Sequence, residues 1–310
     1  YNSLNEVAQN SNYVFNNQET EQLEIPEETD SFIDLALTPG NGLGLSVDQT
    51  LQVASIAQRQ IRLTENNLIF AANYTFTKNS RQNADDRSFY FWRSKIETAG
   101  NTLSAITGIA NFEENQNGSK LITGVPFSQY TKGETEFIKH FALGKNDVLA
   151  FRAFAGLAVP YGNSTNIPFI RSYFAGGSND NRGWLAYQLG PGSSGGLLDF
   201  NEANFKLAFN AEYRFTLLGD LKGAIFTDVG NIWNVFDDIE IPEYRFDGFK
   251  DLSELAIAAG PALRYDFSFL VLRFDLGFKI YDPSVFFEKK WFRDLSLSNT
   301  VLNIGINYPF

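Results

Sequence analysis

The amino-acid sequence predicts an all-β protein, a transmembrane antiparallel β-barrel of the bacterial outer membrane. Three observations lead to this prediction: apolar and polar residues alternate strictly, the alternating runs have the length of a tilted membrane strand, and short connections alternate with long ones. Of the 310 residues, 44% are hydrophobic and 15% aromatic, yet the mean hydropathy is only -0.20. Large rings are therefore distributed through a chain that is polar on average, which excludes intrinsic disorder.

The alternation is clearest over residues 205–215. The odd positions carry Phe205, Leu207, Phe209, Ala211, Tyr213 and Phe215, and the even positions carry Lys206, Ala208, Asn210, Glu212 and Arg214. Because successive side chains of a strand point to opposite faces, every ring lies on one face and every charge on the other. The same separation recurs over 254–267, 270–280 and 301–310, and more weakly over 147–159 and 88–98. These runs match the roughly 9–11 residues that a tilted membrane strand needs.

A soluble antiparallel sheet also alternates, with its apolar face inside and its polar face in solvent. The polar face predicted here is poor in Lys, contains Gly and Ala, and carries opposite charges on neighbouring strands. That composition favours the crowded polar interior of a membrane barrel over a solvated surface. The connections agree with this choice, because 267–269 is a short turn whereas 161–201 and 234–252 are long and rich in Gly and Asp.

The first forty residues differ from the rest, so we divide the chain into 1–40 and a barrel over 41–310. Residues 1–30 are acidic and polar, which predicts a linker or a poorly ordered segment. Residues 31–38 have the character of a strand that ends at the breaker Pro39-Gly40. About a dozen strands follow between Thr50 and Phe310. The absence of Met predicts a processed or truncated piece of a longer product, and the sequence shows no signal peptide.

Composition and motifs exclude several other classes of protein. Without Cys the chain has no disulfide and no thiolate metal site, and its net charge of -11 argues against binding nucleic acid. No stretch approaches the roughly 20 consecutive apolar residues of a membrane helix. No GxSxG motif accompanies His140, the single His, and residues 190–196 lack the Lys and Ser/Thr of a phosphate-binding loop. We therefore predict that the protein is not an enzyme and has no catalytic residue, metal or cofactor. His140 is then a wall residue and 190–196 an outer turn.

The long excursion over 161–201, which we call the lid loop, carries an ordered set of aromatic, Gly and Arg residues. An aromatic pair at 173–174 precedes Gly176 and Gly177, and these precede the triplet Arg182, Gly183 and Trp184. Taken alone, Arg182 would be an ordinary loop residue. Its position after a Gly pair and before a Gly and an aromatic residue completes an ordered motif, whose meaning depends on the resemblance described below.

A second element lies downstream and has the form Phe-x-Asp-x-Gly, with Phe226, Asp228 and Gly230. By alternation Asp228 lies on the same face as Lys222, which is the polar face. A buried guanidinium is costly without a carboxylate, so Asp228 is the expected acceptor for Arg182. The alternative is that Asp228 is only a turn residue before Gly230.

The end of the chain carries a third element, formed by Asn303, Gly305, Tyr308 and Phe310. This spacing resembles the β-signal of outer-membrane barrels: polar, any, Gly, any, any, aromatic, any, terminal aromatic. Physically it predicts an amphipathic edge strand that can pair with an open partner strand. The alternative is that a lipid-facing last strand ends in aromatic residues for the interfacial girdle. Both interpretations indicate an outer-membrane barrel.

Together these motifs resemble those of the superfamily that includes BamA, TamA and the two-partner secretion transporters. In that family the lid loop folds back into the barrel and its Arg docks on the inner wall, so the resemblance implies that Arg182 docks near Asp228. Asn181 stands where Val is commoner in the family. The resemblance is close over 140–310 and looser before it. Three segments resemble the Bacteroidota branch, including its TamA-like lipoprotein TamL: 124–130, 154–162 and 270–277.

The resemblance implies a barrel of about sixteen strands, inside the general range for such barrels, and periplasmic POTRA domains before it, with 31–38 as the last strand of one. It implies a factor that folds and inserts β-barrel proteins in the outer membrane through a lateral seam between its first and last strands. Its implied partners are unfolded outer-membrane β-barrel clients, outer-membrane lipoproteins of an assembly complex, and the lipid bilayer. A weak last strand agrees with this, because Gly305 packs little and Pro309 cannot donate to the ladder.

Other functions stay open at this point. Within the family, a TamA-like module or a two-partner-type pore would export a dedicated substrate. A passive porin would show a large steady conductance, which the lid motif argues against. An enzyme's membrane anchor would carry its catalytic domain upstream.

Overall fold

The computed structural model describes residues 2–64, 66–83, 86–109, 111–115, 118–144, 146–196, 201–239, 241–267 and 269–310. They form two compact units that divide between residues 64 and 66. The first unit is helical and the second is built on an antiparallel sheet.

Three helices form the first unit: α1 (Asn2–Gln9), α2 (Glu27–Leu37) and α3 (Val47–Thr64). Apolar residues recur every three or four positions, as Leu4, Val7 and Ala8 do in α1, and this spacing places them on one helix face. These faces meet in a core of buried side chains: Leu4, Val7, Ala8, Phe15, Leu23, Phe32, Ile33, Ala36, Leu43 and Val53. The buried carboxylate of Glu28 accepts hydrogen bonds from the backbone N–H groups of Asn16 (2.7 Å) and Glu24 (2.9 Å).

Three predictions for this region are wrong. The segment 1–30, expected to be a linker or a poorly ordered segment, contains α1 and the start of α2. Residues 31–38 do not form a strand, because 31–37 belong to α2, where Phe32, Ile33 and Ala36 are buried. The first barrel strand also does not begin near Thr50, which lies in α3. The expectation that 1–40 ends a periplasmic domain stays a prediction.

The second unit is a meander in which neighbouring strands of the sheet follow one another along the chain. Its nine-stranded sheet has the order β1, β2, β5, β6, β7, β8, β9, β10, β11, and β3 and β4 form a separate hairpin. The strands are β1 (Ala71–Asn79), β2 (Tyr90–Ala99), β3 (Leu121–Ile122), β4 (Val125–Pro126), β5 (Tyr130–Ala142), β6 (Val148–Pro160), β7 (Phe205–Leu218), β8 (Leu221–Trp233), β9 (Ala256–Asp266), β10 (Val271–Tyr281) and β11 (Val301–Ile306). A fourth helix, α4 (Asn101–Ile109), follows β2.

The two faces of the sheet have inverted burial. On β7 the aromatic side chains of Phe209 and Tyr213 are 44% and 37% exposed, whereas Glu212 is 0% exposed. We call the face with Glu212 the polar face and the other the apolar face. The predicted alternation is confirmed on these strands, and so is its direction. A soluble sheet would bury the rings instead, so this burial pattern favours an apolar face that contacts lipid.

The lengths of the connections distinguish the two ends of the sheet. At one end the links are long: 100–129, 161–204, 234–255 and 282–300. At the other end they are 80–89, 143–147, 219–220 and 267–270. The predicted contrast of short turns and long excursions is confirmed at these positions, although Ser268 of the turn 267–269 lies outside the described residues.

The strand count differs from the prediction of about a dozen, because the main sheet has nine strands in the described part of the chain. The ladders found among these residues leave β1 and β11 as its edges. No described helix is both long and apolar enough to span a membrane.

Candidate functional site

The lid loop lies on the polar face of the sheet. Asn210 donates from Nδ2 to the carbonyl oxygen of Asp180 (2.7 Å), and Lys206 forms an ion pair with the Asp180 carboxylate (2.9 Å). Arg273, three strands away on β10, donates to the side-chain oxygen of Asn179. The loop is thus fixed by polar side chains from several strands, which the alternation placed on this face.

Arg182 is the centre of this contact. Its guanidinium holds the Asp228 carboxylate with two hydrogen bonds, Nε to Oδ2 (2.8 Å) and Nη2 to Oδ1 (2.9 Å). Nη1 donates to Glu212 Oε2 (2.7 Å), and the Arg182 backbone N–H also donates to Asp228 (3.1 Å). The guanidinium carbon lies 3.5 Å from the centroid of the Phe226 ring. The structure therefore brings together Arg182, Asp228 and Phe226.

The Arg182–Asp228 pair is buried, so the loss of either partner would destabilise the fold. Arg182 is 1% exposed, and Asp228 and Glu212 are both 0% exposed. Removing one member of a buried ion pair leaves a charge without compensation, at a cost of about 3–5 kcal/mol. The geometry is also specific to Arg, because a lysine ammonium cannot form two parallel bonds to one carboxylate.

Further charges surround the pair and link the strands. Arg264 on β9 contacts Glu212 (2.7 Å), and Arg273 on β10 contacts Asp275 (3.4 Å). Arg264 and Arg273 are directly opposite each other in the ladder, an arrangement that is unfavourable without intervening carboxylates. Asp275 lies near both, 3.6 Å from Arg264. These contacts tie β7, β9 and β10 to the same carboxylates that hold the lid loop.

The glycines of the lid motif fit the backbone of the docked loop. Gly176 and Gly177 have φ of 93° and 97°, a region that L-residues rarely adopt. A methyl group on Gly183 would lie 2.7 Å from the Cβ of Ala258 on β9. Trp184 is 4% exposed and packs in a buried cluster that includes Leu189 and Ile232.

Tyr173, at the start of the lid motif, contacts the wall. Its hydroxyl donates to Glu134 Oε2 (3.3 Å) on β5. Burial, together with the nearby Glu134 carboxylate, raises the pKa of the Tyr173 hydroxyl above its ordinary value. The hydroxyl therefore stays protonated and keeps its hydrogen bond over the physiological pH range.

At Gly230 and Gly277 the missing side chain lets another backbone segment come close to the strand. A Cβ on Gly230 would lie 2.8 Å from the carbonyl oxygen of Leu207 on the neighbouring strand. A Cβ on Gly277 would overlap the carbonyl oxygen of Arg182. The lid loop thus reaches the sheet backbone only because residue 277 has no side chain.

The last strand contacts the lid loop directly. Asn303 on β11 donates from Nδ2 to the carbonyl oxygen of Arg182 (2.9 Å). Gly305 lies beside Arg273. The Arg273 guanidinium occupies the space that a side chain at position 305 would fill. Gly305 therefore has a packing role that the sequence interpretation, in which it only weakens the strand, did not include.

Tyr308 and Phe310 are not part of the paired strand, contrary to the expected edge strand. The ladder ends at Ile306 opposite Leu272, and Asn307 has a φ of 65°, which turns the chain. The Arg214 guanidinium lies 4.4 Å from the Tyr308 ring centroid and donates to the main-chain oxygen of Phe310 (2.9 Å). These aromatic residues lie on the polar face, and Pro309 weakens no ladder hydrogen bond because it lies beyond the ladder.

Sequence reasoning missed several residues of this site. Glu212 and Asn210 had been assigned to the polar face, but no local motif marks them as partners of the lid loop. Gly277 carries a weak signal, a Gly in the interior of a strand at a polar-face position, which often marks a close backbone approach. The Asn303 contact with Arg182 joins residues that are 121 positions apart, so no spacing rule reveals it.

Replacing Asn303 with Ala is expected to weaken the attachment of the lid loop to the last strand by about 1 kcal/mol, the usual net value of one hydrogen bond. The expected result is faster proteolysis within the lid loop of the purified protein and a slightly lower unfolding temperature in detergent. Leu302→Ala is the matched control, because Leu302 is the preceding residue and is 56% exposed. Equal proteolysis rates for the two variants would contradict the prediction.

The burial pattern and the docked lid loop define a class of protein: an outer-membrane β-sheet protein whose polar face binds a long loop. Comparison with known proteins then identifies the family. The Omp85 superfamily domain matches residues 40–285, which is more than half of the chain, and the chain belongs to this superfamily. It is a bacterial outer-membrane protein.

Two relatives illustrate the similarity. The outer membrane protein assembly factor BamA of Neisseria meningitidis serogroup B is 28% identical over 181 residues, which cover 52% of this chain and 22% of that protein. The crystal structure of BamA from Haemophilus ducreyi lacking POTRA domains 1-3 matches with a TM-score of 0.44 and 15% identity, over 77% of this chain and 53% of that one. The chain thus spans about a fifth of the curated relative and about half of the solved structure.

Proposed function

We propose that this chain forms the membrane part of a factor that folds and inserts β-barrel proteins into the outer membrane through a lateral seam between its first and last strands. One observation carries the proposal: a lid loop fixed by the buried Arg182–Asp228 pair is also bonded to a short last strand through Asn303. This arrangement provides a rigid wall beside a strand that is easy to displace. The mechanism involves no covalent step.

The last strand is the weak element of the sheet. β11 pairs with β10 over six residues, 301–306. In contrast, β5 and β6 pair over thirteen residues, 130–142 with 148–160. Fewer ladder bonds mean a lower free energy to separate the strand. Separation exposes backbone groups that lipid cannot satisfy, so an incoming client strand that pairs there is stabilised.

We propose that the sheet closes into a barrel of about sixteen strands, with the seam at β11. Closure leaves no unpaired strand edge in lipid except at the seam. The name of the Neisseria relative, an outer membrane protein assembly factor, supports assembly as the function of the family member described here. The proposed partners are unfolded β-barrel clients, outer-membrane lipoproteins of an assembly complex, and the lipid bilayer.

Site-specific crosslinking tests the proposed seam. A photoreactive amino acid replaces Ile304 of β11 in the full-length protein, in cells that synthesise outer-membrane proteins. Phe209 on β7 is the matched control, because it lies on the same apolar face with similar exposure (44% against 61%) but in a strand paired on both sides. We expect adducts with newly made barrel proteins from position 304 and none from 209. Equal yields from both positions would contradict a seam at β11.

Depletion of the full-length protein, followed by quantitative outer-membrane proteomics, tests the client range. Broad loss of unrelated barrel proteins is the expected result and corresponds to a general, BamA-like role. Loss of one exported protein, with the other barrels intact, would replace the proposal with dedicated secretion or a narrow TamL-like role.

A further inference from the structure

The direction in which the chain enters the sheet assigns a membrane side to the helical unit. In outer-membrane barrels the short turns lie in the periplasm and the long connections lie outside the cell. The long connections 161–204, 234–255 and 282–300 all lie at one end of this sheet. That end is the outer end, and the turns 143–147 and 219–220 mark the periplasmic end.

Strand β1 begins at the outer end of the sheet. Ala71, the first residue of β1, pairs with Ala99 at the end of β2, and Ala99 pairs with Tyr130 at the start of β5. Tyr130 in turn pairs with Pro160, where the connection that contains the lid loop begins. The row from Ala71 to Pro160 thus lies along the outer rim, and β1 runs from the outside toward the periplasm.

The residues just before β1 are fixed at this rim. The backbone N–H of Leu68 donates to the carbonyl oxygen of Pro126 (2.9 Å), and the backbone N–H of Ser128 donates to the carbonyl oxygen of Leu68 (3.0 Å). The N–H of Gly100 donates to the carbonyl oxygen of Phe70 (3.0 Å). Residues 126–128 belong to a long connection, so the chain is already outside the membrane at Leu68.

We infer that residues 2–64 form a domain on the outer surface of the cell. A single residue separates α3 from Asn66, too few to cross a hydrocarbon layer of roughly 30 Å at about 3.3–3.6 Å per residue. The unit has its own buried core and an acidic exposed surface that includes Glu19, Glu21 and Asp34. Charged side chains of this kind are not accommodated in lipid. The domain is therefore exposed to the outside of the cell and not to the periplasm.

A position outside the cell replaces the expected end of a periplasmic domain, and this position does not depend on the assembly function. It rests on strand direction, covalent connection and outer-membrane location. The chain contains no Cys, which makes single introduced cysteines direct reporters of the membrane side.

The experiment labels the full-length protein in cells with a membrane-impermeant maleimide, before and after permeabilisation of the outer membrane. Val14→Cys reports the helical unit, where Val14 is 74% exposed. Phe249→Cys, at a position 90% exposed in the connection 234–255, reports the outer end. Asp220→Cys reports the turn end, and the parent protein gives the background. Gln18→Cys, at a second exposed position of the helical unit, serves if the Val14 variant is not produced.

We expect Val14→Cys and Phe249→Cys to be labelled fully in intact cells, with no gain on permeabilisation, and Asp220→Cys to be labelled only after it. Labelling of Val14→Cys or Gln18→Cys only after permeabilisation, with Phe249→Cys labelled in intact cells, would overturn the inference. Labelling of Asp220→Cys but not Phe249→Cys in intact cells would overturn it as well, because the assigned orientation of the sheet would be wrong.

Discussion

Replacing Arg182 with Ala is expected to destabilise the folded protein by about 3–5 kcal/mol, the cost of removing one partner from a buried ion pair. The variant leaves Asp228 and Glu212 buried, at 0% exposure, without the cation that held both. The heat-induced shift from folded to unfolded mobility on a detergent gel measures the loss. Assembly of newly made barrel proteins in cells that carry only the variant provides a second measurement.

Two further variants sharpen this test. Arg245→Ala removes an Arg from an exposed pair with Asp247 (3.3 Å), and such pairs contribute at most about 1 kcal/mol, so little change is expected. Arg182→Lys keeps the charge but not the paired bonds to Asp228, and should fall between Ala and the parent protein. If Arg182→Ala and Asp228→Ala both leave heat stability and assembly unchanged, the pair does not hold the lid loop.

Replacing Gly277 with Ala is expected to displace the lid loop from the sheet. The added methyl group would overlap the carbonyl oxygen of Arg182, a backbone atom that cannot move without moving the loop. Overpacking of this kind costs about 1–3 kcal/mol or more, and here the strain falls on the contacts of Arg182. The expected results are faster proteolysis of the lid loop, a larger ion conductance in planar bilayers and a lower unfolding temperature.

Gly133→Ala is the control for this substitution. Gly133 also lies within a strand paired on both sides, but an added Cβ there would meet nothing within 4 Å. It should leave lid proteolysis and conductance at the parent values. A Gly277→Ala protein with parent-like conductance and proteolysis would show that the lid loop tolerates the methyl group and that its docking does not depend on residue 277.

The strands and faces of the sheet were predictable because their cause is local. Period-two alternation over 205–215 depends only on neighbouring residues and places Glu212 and Phe209 on opposite faces. The composition of the polar face and the lengths of the connections indicated that Glu212 is the buried one. The contact of Arg182 with Asp228 was expected from the family resemblance, which implies a docked Arg in the loop, together with the alternation that placed Asp228 on the polar face.

The rest depended on distant parts of the chain or on competing signals. The many acidic residues of 19–34 indicated a linker, although Phe32, Ile33 and Ala36 have helical spacing. In the structure these three residues are buried in a core. The turn at Asn307 cannot be inferred from alternation, because its positive φ breaks the pattern and returns Tyr308 to the polar face. Asn303 and Gly277 act on the backbone of Arg182, and no sequence motif reports a contact with a distant carbonyl oxygen.

The hydrogen bond from Asn303 to Arg182 has a thermodynamic consequence. The Arg182 side chain donates to Asp228, and the Arg182 carbonyl oxygen accepts a hydrogen bond from Asn303. Undocking of the lid loop and separation of β11 from the sheet would therefore both break the contact between Asn303 and Arg182. Two equilibria that share a contact are linked, and the linkage acts equally in both directions. Loss of β11 pairing therefore loosens the docked lid loop by the same free energy by which undocking of the lid loop weakens β11 pairing. The edge of the sheet and the lid loop are thus coupled through the two contacts of a single residue, Arg182.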